Sequence, residues 1–558
     1  MTVFIPGGPA RFAHQKAGLR RMIETGGTTA LLWEPGTGKT AATIDFLSVL
    51  ALSRAHRPVD PEAETRVLVV CPLAAVDTWA SQMETWASPQ VGFWAEALGG
   101  TIIQRAEALA SRGGRPYSPR TARQTAAKAP RPRSNVSWGR RPTPATTAPQ
   151  RDAHVSRSRI ITGRDPLPLI GAPSAAPLDT QRGPDAIEGP RLVIEVLNLD
   201  TFSSRVQVGS RTSADVLLDA VRRFAPEVVV VDEAHRIKGA SSNVSRLLAR
   251  IGRQAPRRII LTGTVMPHSP LDVYGQWRFL DPEAFSLPQQ DGTRKPMSYG
   301  AFEERYAKLG GWMGRQAVGF QRLDEMQEIM SVRASVVRKA DALDLPKTTD
   351  VIIPVTLSDA ELRAYGSMKK TMVADFGTST VVAPNRLTQM LRLRQITSGP
   401  SKVKTIRSIV HDTLAGERRV VVFALFRDEI DALAQALTVK GTEVMTITGS
   451  TPPAERMELR RRFGSADKQR MVMVCQIRTM SLAVNELVTA SHAVFATLPQ
   501  QRDDLVQARD RLNRLGQTQP VTFWYAVAPK TVDEVVMTSH RHRTSLEQAM
   551  LRHVRGEQ

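Results

Sequence analysis

Two hydrophobic rhythms alternate along the chain. Short, nearly unbroken apolar runs ("TTALLWE", "TRVLVVCP", "RLVIEVLNL", "EVVVVDEAH", "RRIILTGT") are separated by stretches such as "HQKAGLRRMIETG", "KTAATIDFLSVLALSRA" and "SADVLLDAVRRF". Apolar runs of about four to eight residues read as strands buried on both faces, and the spaced stretches read as helices covering them. The rhythm restarts near residue 350, with "RVVVFALF", "TEVMTITGS", "RMVMVCQ" and "HAVFATLP" as strands. Strands alternating with helices predict an α/β fold with parallel sheets, and two such blocks predict two lobes. The blocks are alike in type and not in sequence, and no short-period repeat is visible.

The rhythm breaks in residues 104–190, which are rich in Pro, Arg, Ser, Thr and Ala ("KAPRPRSNVSWGRRPTPATTAPQ"). Such a composition buries too little apolar surface to fold alone, so a mostly disordered insertion in lobe 1 is expected. It reads either as a solvated loop or as a basic arm laid on nucleic acid. The expected boundaries are lobe 1 over 1–103 and 191–280, a helical inter-lobe region over 281–350, lobe 2 over 351–540 and a tail over 541–558.

Composition narrows the class. With 558 residues, several domains are expected; 42% hydrophobic and 23% charged content is ordinary for a globular chain. No apolar run reaches the roughly eighteen residues of a membrane span, and "MTVFIPGGPARF" lacks the features of a secretory signal. Cys71 and Cys475 each sit beside an apolar run and read as buried free thiols. No Cys/His spacing suits zinc, and a reducing, cytoplasmic setting fits. The net charge is +21, and residues 104–190 hold fifteen Lys and Arg against six Asp and Glu, which leaves about +12 elsewhere. The part with the regular rhythm is therefore basic too, and a polyanionic partner follows.

Two motifs carry chemistry. The strand "TTALLWE" runs into Gly36-Thr37-Gly38-Lys39-Thr40 and then a helix. Glycines permit the tight turn that converges backbone N–H groups on phosphate, and the helix adds its positive end. Lys39 reaches the β- and γ-phosphates and the Thr40 hydroxyl ligates Mg2+, with Pro35, Thr37 and Ala41 in the same nucleotide-binding stretch. The strict pattern wants glycine at position 33, which is Trp33 here. The run "VVVVDEAH" ends in Asp232 and Glu233, which places both acids at the carboxyl edge of the sheet, where ligands of open α/β sheets bind. Asp232 is the Mg2+ partner and Glu233 the base that orients the attacking water. Trp79 and Trp86 read as core packing without a function.

The order GTGKT, DEAH, TGT and a late arginine-rich stretch resembles superfamily 2 helicases, and within them the Swi/Snf-like translocases of compact phage and bacterial type. That resemblance implies two RecA-like lobes, use of ATP and Mg2+, and action on duplex DNA gripped through phosphates without sequence preference. It carries Gln15 of "FAHQKAGL" to the adenine edge. "VVCPLAAVDTW" with Pro72, and Thr201 of "LNLDTF", stand where the family meets the nucleic-acid backbone. His235, Thr262 and Thr264 take the coupling roles. "ASVVRKADALDLPK" resembles the linker between lobes. "LVQARDRLNRLGQTQPVTFWY" resembles motif VI, which assigns Gln507 to the nucleotide and Arg511 and Arg514 to the transition state; the bland alternative for Arg509, Arg511 and Arg514 is a solvated basic face. In "MVMVCQIRTMSLAVNELVTA", Asn485 is retained, but the glycines usual before it are not. Three readings stand: a duplex-DNA translocase, a strand-separating DNA or RNA helicase, and a DNA-binding recruitment factor with a vestigial ATPase. With little sequence left over, no nuclease domain is expected.

Overall fold

The structure is a computed structural model. It describes residues 11–55, 64–112, 191–203, 206–208, 210–310, 316–375, 380–382, 386–465, 469–481 and 486–541. Of the expected insertion, 113–190 lies outside these residues. Its first part does not behave as an insertion, because Ile102–Ser111 forms a helix with a Thr101–Gln104 capping box. The tail from 542 onward and Asn485 also lie outside the described residues.

Lobe 1 is a seven-stranded sheet of β1 (Thr28–Trp33), β2 (Glu64–Cys71), β3 (Gly92–Ala97), β4 (Arg191–Asn198), β5 (Val228–Asp232), β6 (Arg257–Leu261) and β7 (Ala334–Val337). Its spatial order is β7-β1-β6-β5-β2-β4-β3, and every pairing is parallel. The covering helices include α1 (Ala13–Glu24), α2 (Lys39–Ala55), α3 (Val76–Trp86), α4 (Ile102–Ser111), α5 (Ser213–Phe224), α6 (Asn243–Gly252), α7 (Val273–Leu280), α8 (Tyr299–Tyr306), α9 (Leu323–Ser331) and the short α10 (Lys339–Ala342). The valines before the acid pair show why this strand is central. Val229 and Val231 enter one core layer, and Val228 and Val230 enter the layer on the opposite face. Burying each is worth roughly 1.5–3 kcal/mol relative to exposure.

Lobe 2 is a six-stranded parallel sheet of β8 (Thr348–Pro354), β9 (Arg419–Ala424), β10 (Thr442–Ile447), β11 (Arg470–Gln476), β12 (His492–Phe495) and β13 (Val521–Val527). The order is β8-β13-β12-β9-β11-β10. Its helices include α11 (Asp359–Thr371), α12 (Arg386–Thr397), α13 (Pro400–Gly416), α14 (Arg427–Leu437), α15 (Pro453–Gly464) and α16 (Arg502–Asp510). In β9, Val421 and Phe423 face one core layer, whereas Val420 and Val422 face the other.

The expected helical inter-lobe region is a mixture. Antiparallel hairpins pair Ser286–Pro288 with Arg294–Pro296 and Ala307–Gly310 with Gln316–Phe320. Phe285, Phe302 and Tyr306 pack into the lobe 1 core, and β7 adds a strand beside β1. The chain therefore stays with lobe 1 through β7 and the short α10 and joins the lobe 2 sheet at β8. The same α/β rule that predicted two lobes explains this: an apolar edge strand is stable only once it joins a sheet.

Candidate nucleotide site between the lobes

The phosphate loop leaves β1 at Trp33 and enters α2 at Lys39. Gly36 and Gly38 hold left-handed φ values of +82° and +84°, which side chains with a Cβ disfavour. A Cβ at Gly38 would collide with the amide of Gln15, so the glycine allows α1 to close against the loop. Gln15 is buried, and its side-chain oxygen accepts the backbone N–H of Phe12 at 3.0 Å. His14 Nε2 donates to the Thr37 carbonyl at 2.7 Å, a contact that the motif reading missed. Pro35 packs against Gly263, where a Cβ would lie 2.7 Å from its Cδ, so the TGT stretch abuts the loop. Trp33 is fully buried and donates its indole N–H to Ser335 at 3.0 Å. Its ring fits because Gly18 of α1 leaves the space a Cβ would take. The departure from the strict loop pattern is thus matched by a glycine elsewhere.

Lys39 Nζ donates to the Trp33 carbonyl at 2.8 Å. Burial pushes its ammonium down, while Glu233, Asp232 and Asp510 pull it back up. Asp232 is pushed up by burial and by the Glu233 charge, with Lys39 and the Trp79 indole opposing. Burial pushes Glu233 the same way, but the His235 hydrogen bond and the Lys39 and Arg236 charges outweigh it and hold it low. The two acids are therefore set apart by their surroundings. Trp79, read from sequence as packing alone, donates Nε1 to Asp232 Oδ2 at 3.1 Å, and the backbone N–H of Glu233 donates to Oδ1 at 2.9 Å. Glu233 itself has a left-handed φ of +52°, a rare conformation for a residue with a Cβ.

His235 links this site to both the TGT stretch and lobe 2. Its Nδ1 lies 3.2 Å from Glu233 Oε2 and 3.4 Å from Thr262 Oγ1. The Thr262 hydroxyl donates to the Thr264 carbonyl at 3.0 Å, so it accepts from Nδ1. Nε2 of His235 lies 3.7 Å from Asp503 of α16.

The arginines come from the same helix and its sequel. Arg511 is pushed down to about 10 by burial and by Arg514, with Asp510 and Glu233 opposing. With a pKa of about 10, Arg511 remains charged at neutral pH. Arg514 is half-buried and feels Asp510 and Glu486. Gln507 is half-buried on α16. Arg509 turns the other way: it pairs with Asp350 and the Tyr525 hydroxyl and lies 4.2 Å over the Phe523 ring, inside lobe 2.

Thr40 and Ala41 sit in the first turn of α2, with Thr40 half-buried. Pro72 follows β2 and Thr201 follows β4, its neighbour, so both stand at one edge of lobe 1. Thr201 is buried, and its hydroxyl accepts from Arg105 of α4. Asn485 lies outside the described residues.

A turn with two left-handed glycines, a buried lysine, an acid pair set apart by its surroundings and arginines on a second parallel-sheet lobe make up a candidate two-lobed nucleotide site. The family follows from the chain itself: residues 14–97 and 211–402 match the SNF2-related domain and residues 401–516 match the helicase conserved C-terminal domain, and the chain belongs to the SNF2-related helicases. It is 27% identical over 331 residues to the DNA annealing helicase and endonuclease ZRANB3 of Bos taurus, covering 58% of this chain and 30% of that protein. It is 24% identical over 317 residues to the SWI/SNF-related matrix-associated actin-dependent regulator of chromatin subfamily A-like protein 1 of Drosophila melanogaster, covering 55% of this chain and 39% of that protein. The match thus spans well under half the length of these relatives. The solved Sulfolobus solfataricus SWI2/SNF2 ATPase core in complex with dsDNA aligns over 99% of this chain and 95% of that one, at 16% identity and a TM-score of 0.35, too loose a likeness to carry residue roles across. Among the described residues, no helix is long and apolar enough to cross a membrane.

Proposed function

We propose that the chain hydrolyses ATP to translocate on duplex DNA, gripping phosphates without reading sequence. The observation that carries this reading is that the helix leading into Arg511 meets the acid pair through His235, whose Nδ1 lies 3.2 Å from Glu233 and whose Nε2 lies 3.7 Å from Asp503. ATP is the substrate: Gln15 and Gln507 bind the base side, Pro35 to Ala41 hold the phosphates, and Lys39 neutralises them as a point charge. Thr40 and Asp232 would hold Mg2+, which when bound neutralises phosphate charge. Glu233, kept ionised by its cationic neighbours, orients and deprotonates the attacking water. Arg511 and Arg514 stabilise the charge that develops in the transition state, which suits a guanidinium that stays protonated and presents a planar fork. His235, shared between Glu233, Thr262 and Asp503, couples the cleft to the lobe surfaces, where Pro72 is a proposed nucleic-acid contact; Thr201, buried and bonded to Arg105, supports the end of its strand instead, and Asn485 keeps its proposed contact role on the motif alone. Opening and closing of the cleft then moves those surfaces as a hinge. The two buried cysteines suit a cytoplasmic setting.

The test is ATP turnover with and without duplex DNA, with Lys39→Ala as control. Duplex-stimulated turnover that falls by about 10³-fold or more in Lys39→Ala is expected, together with triplex displacement, no fork unwinding and a steep loss of binding with salt. Fork unwinding without triplex displacement would favour the strand-separating reading. Duplex binding with no turnover in the native chain would favour the recruitment reading.

A further inference from the structure

Lys339 touches both halves of the cleft, and neither the phosphate-loop nor the acid motif includes it. It opens α10, directly after β7, the strand that borders β1. Its backbone N–H donates to Glu34 Oε2, on the phosphate loop, at 2.7 Å. Its ammonium donates to the Asn513 carbonyl at 2.9 Å and pairs with Asp510 at the end of α16. The same ammonium would lie 3.9 Å from a Cβ at Gly36, so it stands over the loop apex. The side chain is 7% exposed, and Asp510 is 17% exposed. Asp510 Oδ2 is buried without a hydrogen-bond partner, so Lys339 answers a carboxylate that water does not solvate. Asp510 immediately precedes Arg511.

We propose that Lys339 is a positioning residue, a strap that ties the phosphate loop to the arginine-bearing helix and so sets Arg511 opposite Glu233. Exposed ion pairs do little because water screens them. This pair is enclosed, and losing either partner leaves a buried charge unanswered. The strap has two ends of different kinds. The backbone bond to Glu34 fixes where β7 leaves the loop, and the side chain fixes where α16 lands. A displacement of α16 by an ångström would put Arg511 out of register with the acid pair, and misplacement on that scale costs about 10²-fold in rate.

The catalytic consequence rests on the ATP reading of the cleft, but the strap itself is testable in the unliganded chain. Spin labels at Glu24→Cys and Lys440→Cys, both exposed, report the distance between lobes, and the buried Cys71 and Cys475 stay unlabelled. The native chain should give one narrow distance distribution. Lys339→Ala and Asp510→Asn should each broaden it, and the double variant should be no broader than either, as for two members of one interaction. Turnover should fall about 10²-fold in each single variant with KM for ATP changing much less. Lys339→Arg, which keeps the charge, should restore a narrow distribution. If Lys339→Ala does not fold, Asp510→Asn carries the same test. Unchanged distributions in the single variants, additive broadening in the double, or broadening without loss of turnover in an ATP-hydrolysing chain would overturn the proposal. Absence of turnover in the native chain would defeat the ATP reading, and the distance distributions alone would then decide the strap.

Discussion

Both lobes run a buried strand of their sheet into a helix, but they finish the junction in opposite ways. In lobe 1, β1 passes through two left-handed glycines, and α2 opens with Lys39 and Thr40. In lobe 2, β9 passes into α14, and Glu429 turns back over the helix start. Its Oε2 accepts the backbone N–H of Leu425 at 3.1 Å and of Phe426 at 3.3 Å, and its Oε1 accepts the Thr497 hydroxyl at 2.6 Å. Lobe 2 thus supplies a carboxylate of its own to the helix end that in lobe 1 is the proposed seat of an external anion. A shared α/β layout does not imply two phosphate sites. The second lobe meets the first through α16, whose acids reach His235 and Lys339 and which leads into Arg511.

Breaking the self-capped junction should have the largest effect on stability. Glu429→Ala leaves two backbone donors and a hydroxyl without their partner, while Lys402 keeps its pair with Asp533. A loss of about 3 kcal/mol in denaturant unfolding is expected; a loss near zero would show that lobe 2 does not need its internal anion. On the lobe 1 side, Trp79→Phe keeps the packing and removes the donor to Asp232. Turnover should fall about tenfold, the equivalent of one charge-assisted hydrogen bond, with little change in melting temperature.

The smallest effect concerns pH. Glu195 of β4 is fully buried under Arg112, which it shares with Glu96. Burial pushes its carboxyl up to about 8, with Arg112 opposing. An acid whose folded pKa is raised binds its proton more tightly in the folded state, so its contribution to stability is greatest at low pH and is lost as pH rises. Between the ordinary carboxylate range and about 8, the melting temperature should therefore decline. Glu195→Gln should flatten that decline, and an unchanged slope would assign it to other groups.

What could be read in the sequence was what is contiguous. β1, β5 and β9 announce themselves as unbroken apolar runs; Asp232 ends one such run, and Lys39 follows another by six residues. β7 was not legible because it is four residues long and pairs with a strand some three hundred positions away. β8 lies at the sheet edge with most of its positions partly or fully exposed, so it carries no core pattern. The site divides in the same way. Its motif residues were visible, whereas Trp79 reaches Asp232 over 153 positions and Lys339 reaches Asp510 over 171. Trp33 looked like a defect in the phosphate loop because its compensation, Gly18, lies on another element.

The most direct measurement of the two-lobe account is Arg511→Ala, followed by fluorescent-nucleotide binding and by duplex-stimulated turnover on the same preparation. The account predicts that the nucleotide still binds to lobe 1 while turnover falls by about 10³–10⁵-fold. Turnover at the native level would contradict it, because hydrolysis would then proceed without the charge that lobe 2 brings across the cleft.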